Sequence, residues 1–207
     1  MLVDTRALAI LAFALAGPSV VGAQAPAAHA GHDATTHAAR PQQGPAEHGT
    51  VVARASADIA GKGITGSVDL IEYKAGTATW VQVSLSAQGL TPGLHGVHLH
   101  EVGACEPDFG AAGGHFDPGP ASNPDPDANH PFHMGDLPNL SVGDSSGQGS
   151  FVAATTRVTL SDGPLTVFDG NGTAIIIHAN PDQAITGPSK SGVSGGPRVA
   201  CGVLRKR

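Results

Sequence analysis

Residues 95–136 read HGVHLHEVGACEPDFGAAGGHFDPGPASNPDPDANHPFHMGD. Six of the chain's 11 histidines lie in this stretch: His95, His98, His100, His115, His130 and His133. One of the two cysteines, Cys105, lies there as well, and the stretch closes on Asp136. Imidazole is the commonest metal-binding side chain, and it suits copper and zinc better than magnesium or calcium. The start, His98-Leu99-His100, is the most informative part. In an extended strand, residues i and i+2 point to the same side. Both imidazoles can therefore reach one ion. The stretch reads as a transition-metal site with two metals.

The flanking chain reads as all-β. Val51 to Ile59 and Gly63 to Tyr73 have strand character. Thr77 to Ala87 alternates, with Trp80, Gln82, Ser84 and Ser86 on one side and Val81, Val83 and Leu85 on the other. Period-2 alternation marks half-buried strands. Turns fall at Gly61-Lys62-Gly63, Ala75-Gly76 and Thr91-Pro92-Gly93. Further strands are expected at Leu94 to His100, Leu137 to Val142, Gly149 to Thr156, Leu165 to Val167, Ala174 to His178 and Val199 to Val203. No segment keeps a helical period. Short strands with regular turns predict a sandwich or barrel. Two turn-rich gaps, roughly 101–135 and 179–198, each follow a histidine at a strand end, and loops of that length are usually functional.

Composition bounds the rest. The chain has 207 residues and a hydrophobic content of 40%, enough for one core. Aromatics are only 4%, so that core is built of Val, Ile, Leu and Ala. The formal net charge of −6 argues against nucleic acid as a partner. Residues 1–23 read as a secretion signal: Arg6, weakened by Asp4, then apolar Ala7 to Ala16, then a small-residue cleavage site at Val21-Gly22-Ala23. The apolar run is too short to span a bilayer, so no stable membrane insertion is expected. Residues 24–50 read as a disordered linker carrying His29, His32, His37 and His48. A soluble spacer and a weak metal-gathering tail are equally good readings of it. Residues 51–207 form the folded domain. Export would place the two cysteines where a disulfide persists.

Ala174-Ile175-Ile176-Ile177-His178 is an apolar strand ending in a histidine. A lone histidine there is more often structural. His98, His100 and His115 need a further partner, however, which makes His178 the fourth member of a copper set. His130, His133 and Asp136 lie at i, i+3 and i+6 on a loop that can wrap one ion. Imidazoles plus one carboxylate fit zinc. Asp136 also has a plain reading as a turn residue. Whether His115 serves both metals is open at this level.

Five motifs in order resemble the copper/zinc superoxide dismutases in their secreted bacterial form. They are Gly93-Leu94-His95-Gly96-Val97-His98-Leu99-His100-Glu101, Gly114-His115-Phe116-Asp117-Pro118, His133-Met134-Gly135-Asp136-Leu137, Ile177-His178, and Gly196 to Val203. The resemblance covers nearly all of 51–207. It implies an eight-stranded Greek-key β-barrel of the immunoglobulin-like sandwich class. It implies copper on His98, His100, His115 and His178, and zinc on His115, His133 and Asp136 with His115 bridging. It implies a Cys105–Cys201 disulfide and a structural role for His95. Asp182 matches a carboxylate that links copper and zinc ligands. Arg198 matches an anion-guiding arginine, and His115 a proton donor to peroxide. The implied reaction converts superoxide to dioxygen and hydrogen peroxide in the periplasm or outside the cell, and the resemblance leaves room for a homodimer. Lys190 reads as ordinary surface charge.

One position departs from the pattern. Pro124 stands where the family has its remaining zinc histidine, and His130 is expected to substitute. Three other readings stand beside dismutation. One is a periplasmic copper and zinc store without catalysis. Another is a copper-only dismutase in which His130, His133 and Asp136 are structural. The third, an interaction sandwich, leaves the domain's histidines unexplained.

Overall fold

The computed structural model describes residues 49–119, 122–143 and 145–207. The expected signal over 1–23 and nearly all of the expected linker over 24–50 lie outside the described residues.

Three long strands come first: β1 (Thr50–Gly61), β2 (Ile64–Ala75) and β3 (Ala78–Gln88). They pair as an antiparallel meander. Gly63 and Gly76 sit in the two short turns at φ of 72° and 59°, where a Cβ would be strained. Alternation sends Ala57, Ile59, Val68, Leu70, Val81, Val83 and Leu85 inward, as the spacing predicts. Trp80, Gln82 and Ser84 remain partly exposed on the other face.

The remaining strands are β4 (Gly93–His95), β5 (Val97–His100), β6 (Leu140–Val142), β7 (Gln148–Thr155), β8 (Ala174–His178), β9 (Arg198–Val203) and β10 (Arg205–Lys206). The hydrogen-bonded order is β4-β6-β7-β3-β2-β1-β9-β8-β5, with β10 on β1. The two ends of that order, β4 and β5, are neighbours in sequence and separated only by Gly96. The sheet therefore closes on itself. β9 and β10 are likewise one strand interrupted at Leu204, so the ten stretches make the expected eight-stranded barrel. Closure removes the exposed edges that an open sheet must protect.

Some expected boundaries shift. Leu94–His100 is two strands, because the chain changes partner at Gly96. The Gly96 amide donates to Asn180 O at 2.9 Å, and its carbonyl accepts from His178 N at 2.8 Å. A Cβ there would lie 3.1 Å from Ser194 O. Leu137–Asn139 is not strand, and Leu165–Val167 makes only an isolated bridge between Thr159 and Thr166. Apolar Val167 fills the core without pairing regularly. β10 is short and charged, so no alternation announced it.

β8 is buried along its whole length. Ile175 and Ile177 join the barrel core, while Ala174 and Ile176 pack under the long loop with Ala112, Cys105 and Cys201. A strand covered on both faces reads as a continuous apolar run. On β5, Val97 and Leu99 enter the core, so His98 and His100 point the other way, beneath the loops.

Candidate metal centre

The site is built where the two long loops fold over β5 and β8. The first loop docks on β5 through its backbone. Phe116 N donates to Leu99 O at 2.9 Å, Leu99 N to Gly135 O at 2.9 Å, and Gly135 N to Phe116 O at 2.8 Å. These bonds bring His115 beside His100 and Asp136 beside His98. β8 pairs with β5 in the register His98–Ile176 and His100–Ala174, which places His178 at the same end. Sequence positions far apart thus meet: ring centroids are 4.0 Å apart for His98 and His115, and 4.9 Å for His98 and His178.

All seven histidines of the domain are buried. Their hydrogen bonds show which nitrogen is left free. His98 Nε2 donates to Asp182 Oδ2 at 3.0 Å, His100 Nδ1 to Gly113 O at 3.1 Å, and His178 Nδ1 to Gly196 O at 3.0 Å. Each partner oxygen only accepts, so each opposite nitrogen keeps a lone pair. Those nitrogens, His98 Nδ1, His100 Nε2 and His178 Nε2, have no partner, and neither has His115 Nε2. Four buried lone pairs without partners are costly unless a cation takes them. His98, His100, His115 and His178 offer ligand atoms all within 4.8 Å of one another. Burial pushes His100 well below its ordinary value, and burial with the His98 ring lowers His115 and His178 to about 3. Neutral imidazole is the metal-binding form.

The second group surrounds Asp136. Its Oδ1 accepts from His115 Nδ1 at 2.9 Å. Its Oδ2 accepts from His133 N at 3.0 Å and lies 3.3 Å from both His130 Nδ1 and His133 Nδ1, neither of which hydrogen-bonds it. Burial would raise the Asp136 carboxyl, but His115, His130 and His133 outweigh it and hold it well below the carboxylate range. His98, His115, His130 and Asp136 form a second set within 4.8 Å; His133 falls outside that limit while still facing Asp136.

His130 is fully buried and points inward. Its Nε2 donates to Asp182 Oδ1 at 2.6 Å. Burial opposes its charge, yet the Asp136 and Asp182 carboxylates prevail and raise it to about 9. Asp182 therefore grips a histidine of each group, His98 with one oxygen and His130 with the other. Asn139 fixes Asp182 in turn: Asn139 Nδ2 donates to Asp182 O and Asp182 N to Asn139 Oδ1, both at 2.9 Å. Asn139 was not singled out from sequence, because an amide that mimics a backbone partner leaves no spacing pattern.

Arg198 stands across β8 from His178. Its guanidinium donates to Phe109 O and Gly113 O. Gly113 O also accepts from His100 Nδ1, so one carbonyl holds both the arginine and a histidine. Cys105 and Cys201 form a disulfide that anchors this part of the loop to β9. It spans 96 residues, worth about 4–5 kcal/mol in the chain-entropy account. A cleft of about 650 Å³ reaches His178 and Arg198 from solvent. Lys190, expected as ordinary surface charge, lines that cleft with Arg198. The cleft's three carboxylates each accept from a backbone amide: Glu101 from Gly114 N at 2.8 Å, Asp125 from Asp127 N at 3.1 Å and Asp127 from Gly192 N at 2.8 Å. His95 keeps to the structural role, with Nδ1 2.7 Å from His178 O and Nε2 2.8 Å from Thr91 O.

The sequence profile of the family described as copper/zinc superoxide dismutase (SODC) matches residues 64–204. This chain belongs to the copper/zinc superoxide dismutase family. Copper and zinc are the family's metals, and the donor sets above suit both: all-imidazole for copper, imidazole with carboxylate for zinc. The chain is 42% identical to a superoxide dismutase [Cu-Zn] of Deinococcus radiodurans, over 63% of this chain and 76% of the relative. It is 35% identical to one of Mycolicibacterium paratuberculosis, over 90% of this chain and 80% of the relative. Among solved structures it is similar to a SOD-like protein from Bacillus subtilis, with a TM-score of 0.59 and 32% identity, covering 72% of this chain and 97% of that one.

Proposed function

We propose that this superoxide dismutase holds copper on His98, His100, His115 and His178, and zinc on His115, His130, His133 and Asp136. The observation that carries the reading is the set of buried histidine nitrogens without partners: those of His98, His100, His115 and His178 gather at one point, and His130 Nδ1 and His133 Nδ1 face Asp136 at another. Copper bound at the first point supplies reversible one-electron chemistry, and zinc at the second supplies fixed positive charge.

The chain's own residues do the rest. Gly113 O, Gly196 O and Asp182 each accept a hydrogen bond from one ring N–H, of His100, His178 and His98 respectively, and so fix which nitrogen faces the metal. Arg198 presents a permanent positive charge at the cleft floor and stays charged at any working pH. Two backbone carbonyls aim it, so little ordering remains to be done when a small anion arrives. Lys190 at the same cleft adds attraction at longer range. His115 would give peroxide the proton that its Nε2 gains whenever that nitrogen is not holding copper. The disulfide agrees with an oxidising compartment. We place the protein outside the cytoplasm, exported by residues 1–23, with 24–50 as a linker.

The test is the superoxide dismutation rate of residues 51–207 loaded with copper and zinc, beside His178→Ala and Arg198→Ala. The parent domain should approach the diffusion limit. His178→Ala should lose about a thousandfold or more. Arg198→Ala should lose about tenfold and show a flatter dependence on salt. Slow turnover in a parent that binds copper tightly would replace catalysis with metal storage.

A further inference from the structure

The segment around Pro124, where the sequence departs from the family motif it resembles, carries a set of fastenings. Asn123-Pro124-Asp125-Pro126-Asp127 is held by its own side chains. Asp117 Oδ2 accepts from Asn123 N at 2.9 Å, Asn123 Oδ1 from Asp125 N at 3.2 Å, and Asp125 Oδ1 from Asp127 N at 3.1 Å. Pro124 keeps the segment against the metal group without a ligand atom: its carbonyl accepts from His115 N at 2.8 Å.

The run ends on Asp127, which is 4% exposed. Its carboxylate crosses to the second long loop. Oδ2 accepts from Gly192 N at 2.8 Å, and Oδ1 from Ser194 N at 3.1 Å and Ser194 Oγ at 2.8 Å. Its backbone carbonyl accepts from Gly187 N at 2.8 Å. A buried carboxylate with several donors makes strong, charge-assisted bonds. The loop it holds carries Lys190 and ends at Gly196, whose carbonyl orients His178 Nδ1.

We propose that Asp127 is a positioning residue that fastens the 187–196 loop over the cleft without help from zinc. With His130 as a zinc ligand, zinc meets the second loop ahead of residue 187, through Asp182 and Thr186. Asp127 does at the cleft wall what a more distant ligand would otherwise do. Through Ser194 and Gly196 it keeps His178 in the orientation that faces copper. This inference rests on the proposed metal assignments, but the clamp itself can be read without turnover.

The experiment is hydrogen exchange of the 187–196 segment in the full chain, loaded with copper and zinc or with copper alone, for the parent and Asp127→Asn. In the parent, leaving zinc out should change exchange by less than about threefold. In Asp127→Asn, exchange should rise roughly 10- to 100-fold in both metal states, the change expected from losing one or two charge-assisted bonds. The copper electron paramagnetic resonance spectrum should also change at unchanged copper content, which a general loss of stability would not produce. Ser194→Ala removes one donor and serves where Asp127→Asn does not fold; it should raise exchange by a smaller factor. Loop exposure on zinc omission alone would overturn the proposal, and so would a variant with parental exchange and spectrum. A protein that lacks dismutase activity yet shows the expected exchange would overturn the functional reading and leave the clamp standing.

Discussion

His98, His100 and His178 stand on regular strands, whereas His130, His133 and Asp136 stand on a loop with no repeating backbone pattern. On the strand side the barrel does the positioning. The pairing of β5 with β8 is continuous from Val97 to His100, and the apolar faces of both strands are locked in the core. Moving either histidine would mean slipping a strand by one residue and turning a buried face outward, which register forbids. On the loop side, position is held by individual hydrogen bonds: Asp136 to His133 N, Asp182 to His130 Nε2, Thr186 Oγ to His130 O. Such bonds can be exchanged one at a time. That difference fits the sequence reading, in which the strand histidines keep the motifs of the resemblance and Pro124 departs from them.

The largest effect that would break this comparison concerns the strand side. His100→Ala should abolish copper binding and lower the dismutation rate about a thousandfold, yet leave the barrel folded, since Val97 and Leu99 carry the core contacts of β5. Metal content and circular dichroism check it. An unfolded variant would show that the metal face, not the core face, fixes β5. Asp182→Asn comes next. One carboxylate orients a histidine on each side, so affinity for both metals should fall about 10- to 100-fold, read by competition with a chelator. A loss confined to one metal would mean that the two sides are positioned independently.

The comparison also explains what could be read from sequence. The barrel was legible because period 2 is enforced wherever one face is buried, as in Thr77 to Ala87. β8 was legible as an apolar run because both of its faces are covered. The pairing of His98 with His100 needed only the strand period. His178 required a partner argument, and the disulfide pairing required the resemblance. Gly113 O and Gly196 O, which orient two histidines, the first of them also holding Arg198, had no signature, because any residue supplies a carbonyl. Asp127 had no signature in the run Asn123 to Asp127. Its burial comes from a loop more than 60 residues away, as its bond to Gly192 N shows. Leu165 to Val167 misled for the opposite reason: its apolar character fills the core without strand pairing.

The smallest expected effect is the sharpest test of the loop side. His130→Ala removes a ring nitrogen 3.3 Å from Asp136 Oδ2 and the histidine expected to substitute at the Pro124 departure. Zinc affinity should fall by at least about tenfold, in line with the loss of a coordinating side chain and its hydrogen-bonded support. Copper content should stay at the parental level, because the group of His98, His100, His115 and His178 does not include His130. The dismutation rate at neutral pH should stay within about threefold of the parent, since Arg198 and the cleft walls are held by Phe109 O, Gly113 O and Asp127, not by zinc. Metal analysis beside rate measurement separates the outcomes. Parental zinc affinity would make His130 a structural residue that Asp182 holds for its own sake. A collapse of copper binding would mean that the shared Asp182, released from His130, no longer holds His98, and that the strand side depends on the loop side after all.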